Sequence, residues 1–320
     1  MVGVRRWWPG FVLLSAIWGA SFVLIKTAVD AGVSPAWVAC WRCVFGAVAL
    51  WSLVGLRRVP VPRDAATWGH SAVAAVLLNT VPFMLFSYGE TRVSSVLAGV
   101  VNATTPLFTL LFTVATVAAE RRPGPRRLAG LVLGFAGVLT VLGVWRGAGA
   151  GLGTGGLACL AATCCYGAGF TYLRRILSDR PGSAAALSAV QIGCAAVETA
   201  VVAPLVSGAP HWPGVRAVAA LVLLGAVGTG FAYVLNLAMV REAGAVVATA
   251  VTYATPLWST ALGALLLGEP VGWNALVGGA AVVAAVVLTR SPSRPGHRTT
   301  RTLGAPAVRP PECQVTLRRA

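Results

Sequence analysis

Hydrophobic residues in this chain fall in long runs, not in the helical or two-residue periods of a soluble protein. Ten windows each come near the ~20 apolar residues that span a hydrocarbon core. They lie at about 10–29, 36–55, 68–88, 93–116, 126–144, 153–174, 184–206, 216–239, 244–267 and 272–290, ends being the least reliable part of such a reading. Strands of a membrane barrel would alternate over segments of ~10 residues. The expected fold is an all-α polytopic membrane protein with ten transmembrane helices.

The runs also repeat. Val93 to Glu120 (VSSVLAGVVNATTPLFTLLFTVATVAAE) returns as Ala243 to Glu269 (AGAVVATAVTYATPLWSTALGALLLGE). Each copy opens on small residues, passes a pair ahead of Thr-Pro (Asn102-Ala103, Thr252-Tyr253), and closes on a glutamate. Trp18 to Phe22 is echoed by Tyr166 to Phe170, Lys26 by Arg174, Arg42 by Gln191 and Thr80 by Thr229. Self-similarity of this kind marks two copies of one unit. The expected organisation is a cytoplasmic N-terminus (1–9), a five-helix repeat (10–146), a Gly-rich link (147–152), a second five-helix repeat (153–290) and a disordered basic tail (291–320). Five is odd, so the second copy must enter the bilayer in the opposite sense, giving two inverted repeats.

Composition agrees. The chain of 320 residues is 57% hydrophobic and 11% charged, against about 25% charged in soluble domains. Its net charge of +16 would suggest nucleic acid, but the placement of the arginines argues for a membrane. With the N-terminus inside, Arg5, Arg6, Arg57, Arg58, Arg63, Arg121, Arg122, Arg126, Arg127, Arg174, Arg175, Arg180, Arg241 and the arginines from 290 onward all face the cytoplasm. Only Arg92, Arg146 and Arg216 fall outside. Positive segments resist translocation, so the chain is read as N-in and C-in across the cell (cytoplasmic) membrane. Arg5-Arg6 ahead of an apolar run reads as the start of an uncleaved first helix. The Pro- and Arg-rich tail is expected to lie against anionic headgroups.

Ile17-Trp18-Gly19-Ala20-Ser21-Phe22 through Lys26, Asn102-Ala-Thr-Thr-Pro106-Leu-Phe with Glu120, and Tyr253-Ala-Thr-Pro256-Leu with Gly268-Glu269-Pro270 resemble motifs of one family. The chain is similar, over nearly all of 10–290, to the drug/metabolite transporter superfamily in its ten-helix EamA-type branch. Ten spans, two copies and matching motif order carry the resemblance together. The resemblance implies a secondary carrier or exporter of small metabolites, with a cavity between the two units and alternating access.

Residues for such a cavity can be named. Pro106 and Pro256 sit inside their spans, where proline removes a donor and crowds the carbonyl four residues back. Broken helices in transporters line the midplane site, so these prolines are read as hinges of a site rather than mere kinks. Asn102, Thr252 and Tyr253 beside them are candidates for substrate contact. Trp18, Ser21, Asn79 and Tyr166 could present rings and polar groups to the same space. Glu198 is the carboxylate lying deepest in a span and Arg42 the comparably deep arginine. A charge at such depth costs about 2.5–3.5 kcal/mol on the most forgiving scale, so it faces a cavity or a partner. Their matched depth suggests an ion pair; a structural role, or a Glu198–Gln191 hydrogen bond, is preferred to proton coupling.

Other chemistry is weak. Cys40-Trp-Arg-Cys43 has redox spacing but lies in an apolar span without a second pair or a nearby histidine, so small core residues are the simpler reading. No phosphate-binding loop motif occurs, and neither cofactor nor metal is expected. A membrane enzyme would need a nucleophile–base pair, paired carboxylates or a metal cluster within the spans. The expected partners are a small-molecule substrate and the bilayer, with a homodimer left open and nucleic acid excluded. Export of an amino acid, related metabolite or toxic compound leads. An importer of sugar-like or nucleotide-linked solutes and a non-transporting membrane protein are the alternatives.

Overall fold

The structure, a computed structural model, describes residues 8–116, 125–143, 153–177, 182–243 and 245–289. Some side chains within these stretches, those of Arg174, Tyr253 and nearly all of 237–250 included, lie outside the description. Helices fall on all ten apolar windows: α1 (Trp8–Asp30), α2 (Pro35–Leu56), α3 (Ala65–Glu90), α4 (Ser95–Thr116), α5 (Pro125–Leu142), α6 (Thr154–Tyr172), α7 (Ala184–Ser207), α8, α9 (Ala245–Leu267) and α10 (Trp273–Thr289). α8 runs through Val215–Val222, a π-helical stretch Leu223–Phe231, and Ala232–Ala243. Six of these are long and apolar enough to cross a bilayer: α1, α2, α3, α4, α7 and Val215–Asn236 of α8. Leu128–Val141, Ala254–Leu267 and Trp273–Ala285 are shorter apolar helices.

Polar residues set where helices begin. The side chains of Ser34, Asp64, Ser94 and Ser183 accept from the backbone N–H groups of Trp37, Thr67, Leu97 and Ala186. Each satisfies a donor that the first helical turn leaves orphaned. Pro35 follows Ser34 at the position where a missing N–H costs nothing. Large apolar side chains point away from the bundle, among them Leu205 at 80% and Leu265 at 80% exposure. Such a surface suits lipid and not water.

Small residues decide the packing. α5 lies along α10 and α1 along α9, while α2 touches both α7 and α8. A Cβ added to Gly278 would sit 2.7 Å from the Gly137 carbonyl oxygen, and one added to Gly137 would sit 2.9 Å from that of Gly278. Backbones this close supply the packing that drives helix association where lipid tails offer no hydrophobic gain. Gly134 and Gly225 are packed as closely: added carbons would meet Leu107 and the α2 backbone.

The two Thr-Pro spans, alike in sequence, differ in shape. α4 is interrupted after Asn102 and restarts at Thr105. Ala103 N–H and Thr104 N–H donate three residues back, to Val100 O at 3.1 Å and Val101 O at 2.9 Å. Pro106 thus becomes the second residue of a new segment, where it costs little. α9 instead runs through Pro256 without a break. There the Thr255 hydroxyl donates to Val251 O at 3.2 Å, and Trp258 Nε1 ties the helix to Ser15 Oγ of α1 at 2.9 Å. Both bonds hold the helix in place around the proline. Of the two prolines read as hinges, Pro106 therefore follows a break in its helix and Pro256 does not.

Candidate central cavity

A cavity of about 130 Å³ opens where α1, α2, α3, α4, α6, α8 and α9 converge. By volume it holds several waters or a compact solute. Trp18 and Ser21 of α1, Asn102 of α4, Tyr166 of α6 and Thr252 of α9 line it, together with Arg42 of α2. The polar candidates named from the sequence therefore come from five different helices to one space. One wall is aromatic. Phe22 meets Phe86 edge-on with centroids 5.5 Å apart, Phe86 faces Tyr166 at 5.9 Å, and Tyr166 faces Phe170 at 6.3 Å. A larger cleft of about 350 Å³ lies among Trp37, Trp41, His211 and Trp212. It is nearly all apolar and borders the turn after α1, whereas the central cavity gathers converging polar groups, the usual mark of a binding site.

Not every candidate faces the cavity. Ser21 lines it but spends its proton on Ile17 O at 3.1 Å. Asn79 is wholly buried: its Nδ2 donates to the Tyr233 hydroxyl at 3.2 Å, and its Oδ1 accepts from Gln191 Nε2 at 2.7 Å. It positions Tyr233, which does line the cavity. The Tyr253 side chain lies outside the described residues.

The expected pair of Arg42 with Glu198 does not form. Arg42 Nε donates to Thr229 Oγ1 at 3.1 Å, and its guanidinium rests 3.7 Å from the Phe83 ring centroid. Glu198 Oε2 instead accepts from Thr80 Oγ1 at 2.5 Å. Gln191, the other expected partner of Glu198, is engaged by Asn79. α2 and α7 do pack on each other. Each residue turns about 100° around a helix, however, and both side chains leave toward other neighbours.

Two carboxylates that the sequence did not mark as sites prove structurally distinctive. Glu269 Oε1 accepts from Ser95 N at 2.9 Å, while Oε2 accepts from Ser95 Oγ at 2.8 Å and Val96 N at 3.1 Å. Glu269, two residues past α9, thereby caps α4, with Gly268 at φ +65° turning the chain back, a conformation suited to glycine. Glu90 closes α3 and is fully buried, with neither carboxylate oxygen hydrogen-bonded. Lys26 Nζ bypasses that carboxylate, donating to the Glu90 backbone oxygen at 2.9 Å and pairing with Asp30 at 3.0 Å. Since no donor reaches the Glu90 oxygens, Glu90→Gln is expected to leave the melting temperature in detergent within about 2 °C of wild type, or above it. A clear fall would reveal a donor to the carboxylate.

The model of the EamA-like transporter family matches residues 6–143 and again 153–291. The chain belongs to the EamA-like transporter family. Among curated proteins, the EamA-like chain is 26% identical over 280 residues to the "uncharacterized inner membrane transporter YedA" of Escherichia coli strain K12, covering 86% of this chain and 88% of that one. It is also 26% identical over 132 residues to "Protein PagO" of Salmonella typhimurium, spanning 41% of this chain and 42% of that relative. A solved crystal structure shares the fold at TM-score 0.58 and 20% identity, covering 86% of this chain and 96% of the other. As an EamA-like protein the chain is a multi-pass membrane transporter of small solutes and not an enzyme. The described residues hold no cluster of three or more His, Cys, Asp or Glu side chains fit for a metal ion.

Sequence reasoning did not pick out Thr105, Phe83 or Tyr233 as cavity residues. The Thr-Pro motif put Thr105 in plain view, but only as a neighbour of the hinge. Nothing in the apolar setting of Phe83 distinguishes it from a core residue.

Proposed function

We propose that this protein is a secondary transporter exporting a small metabolite across the cytoplasmic membrane, by alternating access between two inverted five-helix repeats (10–146 and 153–290). The central cavity carries the reading, because residues of both repeats (Trp18, Asn102, Tyr166, Thr252) wall a single space. Helix pairing supports the inversion. α1 packs on α9 as α6 packs on α4, α2 on α8 as α7 on α3, and α3 on α6 as α1 on α8. The polar links obey the same exchange: Arg42 reaches Thr229, and its counterpart Gln191 reaches Asn79, beside the counterpart Thr80. Of the three π-helical stretches among the described residues, Val76–Thr80 and Leu223–Phe231 fall at matching places in α3 and α8, while Leu173–Leu177 follows α6.

In this scheme the break at Ala103–Thr104 is the pivot, with Pro106 at the start of the moving segment and Pro256 held against α1. Asn102 and Thr252 touch the solute from opposite repeats. Glu198, held by Thr80, links α7 to α3 as a structural residue. N-in, C-in topology follows from the arginine distribution.

The test is solute flux. Metabolite profiling of medium and cytosol, with and without the protein, identifies a solute for proteoliposome assays. There the Asn102→Ala, Thr252→Ala double variant is expected to lose about tenfold or more in transport at unchanged folding, as two polar contacts are removed. Wild-type flux in the double variant would remove these residues from the path. Absence of any flux by the wild-type protein would end the transport mechanism proposed here.

A further inference from the structure

Arg42 stands in the wall of the cavity without an ion-pair partner, the Glu90 carboxylate acting on it only from beyond that distance. It is 9% exposed, sits in the middle part of the apolar helix α2, and has no carboxylate within ion-pair distance among the described residues. Its one hydrogen bond there, from Nε to Thr229, leaves the two terminal nitrogens of the guanidinium uncommitted. Contact with the Phe83 ring gives the cation a soft face on one side but no counter-anion. A buried cation inside a membrane protein ordinarily pairs with another charge or marks a solute path. Thr105 supplies a second, separate sign. It is 5% exposed, lines the same cavity at the break in α4, and its hydroxyl has no hydrogen-bond partner. Buried hydroxyls without partners are rare unless a ligand or water completes them.

We infer that the cavity takes a small organic anion, its single carboxylate seated on the Arg42 guanidinium and its apolar or aromatic body laid along Phe22, Phe86 and Tyr166. This deepens the transport reading by naming the class of solute, and it rests on that reading only for the claim that the bound anion is carried. The planar guanidinium matches a carboxylate through two parallel N–H donors. Among the described residues no aspartate or glutamate lines the cavity. The ammonium group of an amino acid would therefore be desolvated without a counter-charge, which disfavours zwitterions relative to simple monocarboxylates. Inorganic anions fit the arginine but leave the aromatic wall unused. The Thr105 hydroxyl donates to a polar atom of the bound anion or to a water it retains.

Binding is read apart from transport, on purified protein in detergent, with benzoate, benzamide, benzylamine and phenylalanine as probes in a thermal-shift titration. Benzoate is expected to raise the melting temperature saturably, while the neutral, cationic and zwitterionic analogues bind at least about tenfold more weakly. Arg42→Gln is expected to abolish the benzoate shift, and Arg42→Lys, which keeps charge but loses the fork, to weaken it about tenfold. Equal shifts from benzoate and benzamide, no benzoate shift, or a benzoate shift retained in Arg42→Gln would overturn the inference. Should Arg42→Gln fail to fold, the wild-type probe series decides alone. Carboxylate-selective, Arg42-dependent binding without benzoate flux in proteoliposomes would leave the anion site standing against the transport mechanism. Flux of another solute with no carboxylate binding would do the reverse.

Discussion

Gly225→Leu is expected to leave little folded protein, seen as loss of the single sharp peak in size-exclusion chromatography of the detergent extract. The reason is the closeness of α8 to α2. A Cβ at position 225 would stand 2.5 Å from Phe45 Cβ, 2.8 Å from the Arg42 carbonyl oxygen and 3.1 Å from the Gly46 nitrogen. Two of those three atoms are backbone, so no rotamer change in α2 relieves the contact. From the other side, a Cβ on Gly46 would meet Thr229 Cγ2 at 3.0 Å. Forcing a leucine between the helices costs about 3 kcal/mol or more and pulls Thr229 from Arg42. Gly55→Leu and Gly69→Leu are the controls, because a Cβ there meets nothing within 4 Å; both should elute as wild type. A Gly225→Leu protein indistinguishable from them would mean that α2 and α8 do not approach as described.

Loss of the Glu269 cap should be the next largest effect. Its carboxylate accepts two backbone N–H groups and one hydroxyl from the first turn of α4. Those N–H groups have no intrahelical acceptor, and the positive end of the helix dipole favours an anion at that place. Hydrogen bonds to a charged group contribute about 1.5–3 kcal/mol each when buried. Glu269 is only partly buried, so screening reduces the sum and about 2–4 kcal/mol for all three is the realistic loss. Glu269→Ala is therefore expected to lower the melting temperature in detergent by about 5–10 °C. Glu269→Gln keeps one acceptor and should fall between. Adding Ser95→Ala to Glu269→Ala should cost little more, since the hydroxyl then has no carboxylate to lose. An additive double variant would show that Ser95 and Glu269 act independently.

Glu269, closing the second copy of the repeat, was visible from the start, but as a landmark; Glu120, closing the first, lies outside the described residues. The role of Glu269 as a cap spanning α9 to α4 depends on two helices that are far apart in the chain meeting at one end of the bundle. Glu90 illustrates the same gap differently. It falls just beyond the third apolar window, where a charged residue reads as a loop, and only the packing around α3 buries it. Arg42 and Glu198 stood out in the sequence as charges inside apolar runs. Their partners, Thr229 and Thr80, were legible only as positions matched by the repeat.

What the chain's own order of residues determined is everything that a solvent of lipid enforces locally. Apolar runs must become helices because no water is present to satisfy an open backbone. Serine and aspartate ahead of those runs mark where they begin, and a duplicated pattern announces related halves. Tertiary structure alone decided which way each side chain turns and which helices touch. It also decided that one Thr-Pro span breaks while its twin stays whole. Those outcomes depend on contacts at the scale of single atoms, such as a glycine against a carbonyl or an indole on a serine, between segments whose separation along the chain carries no record of their meeting.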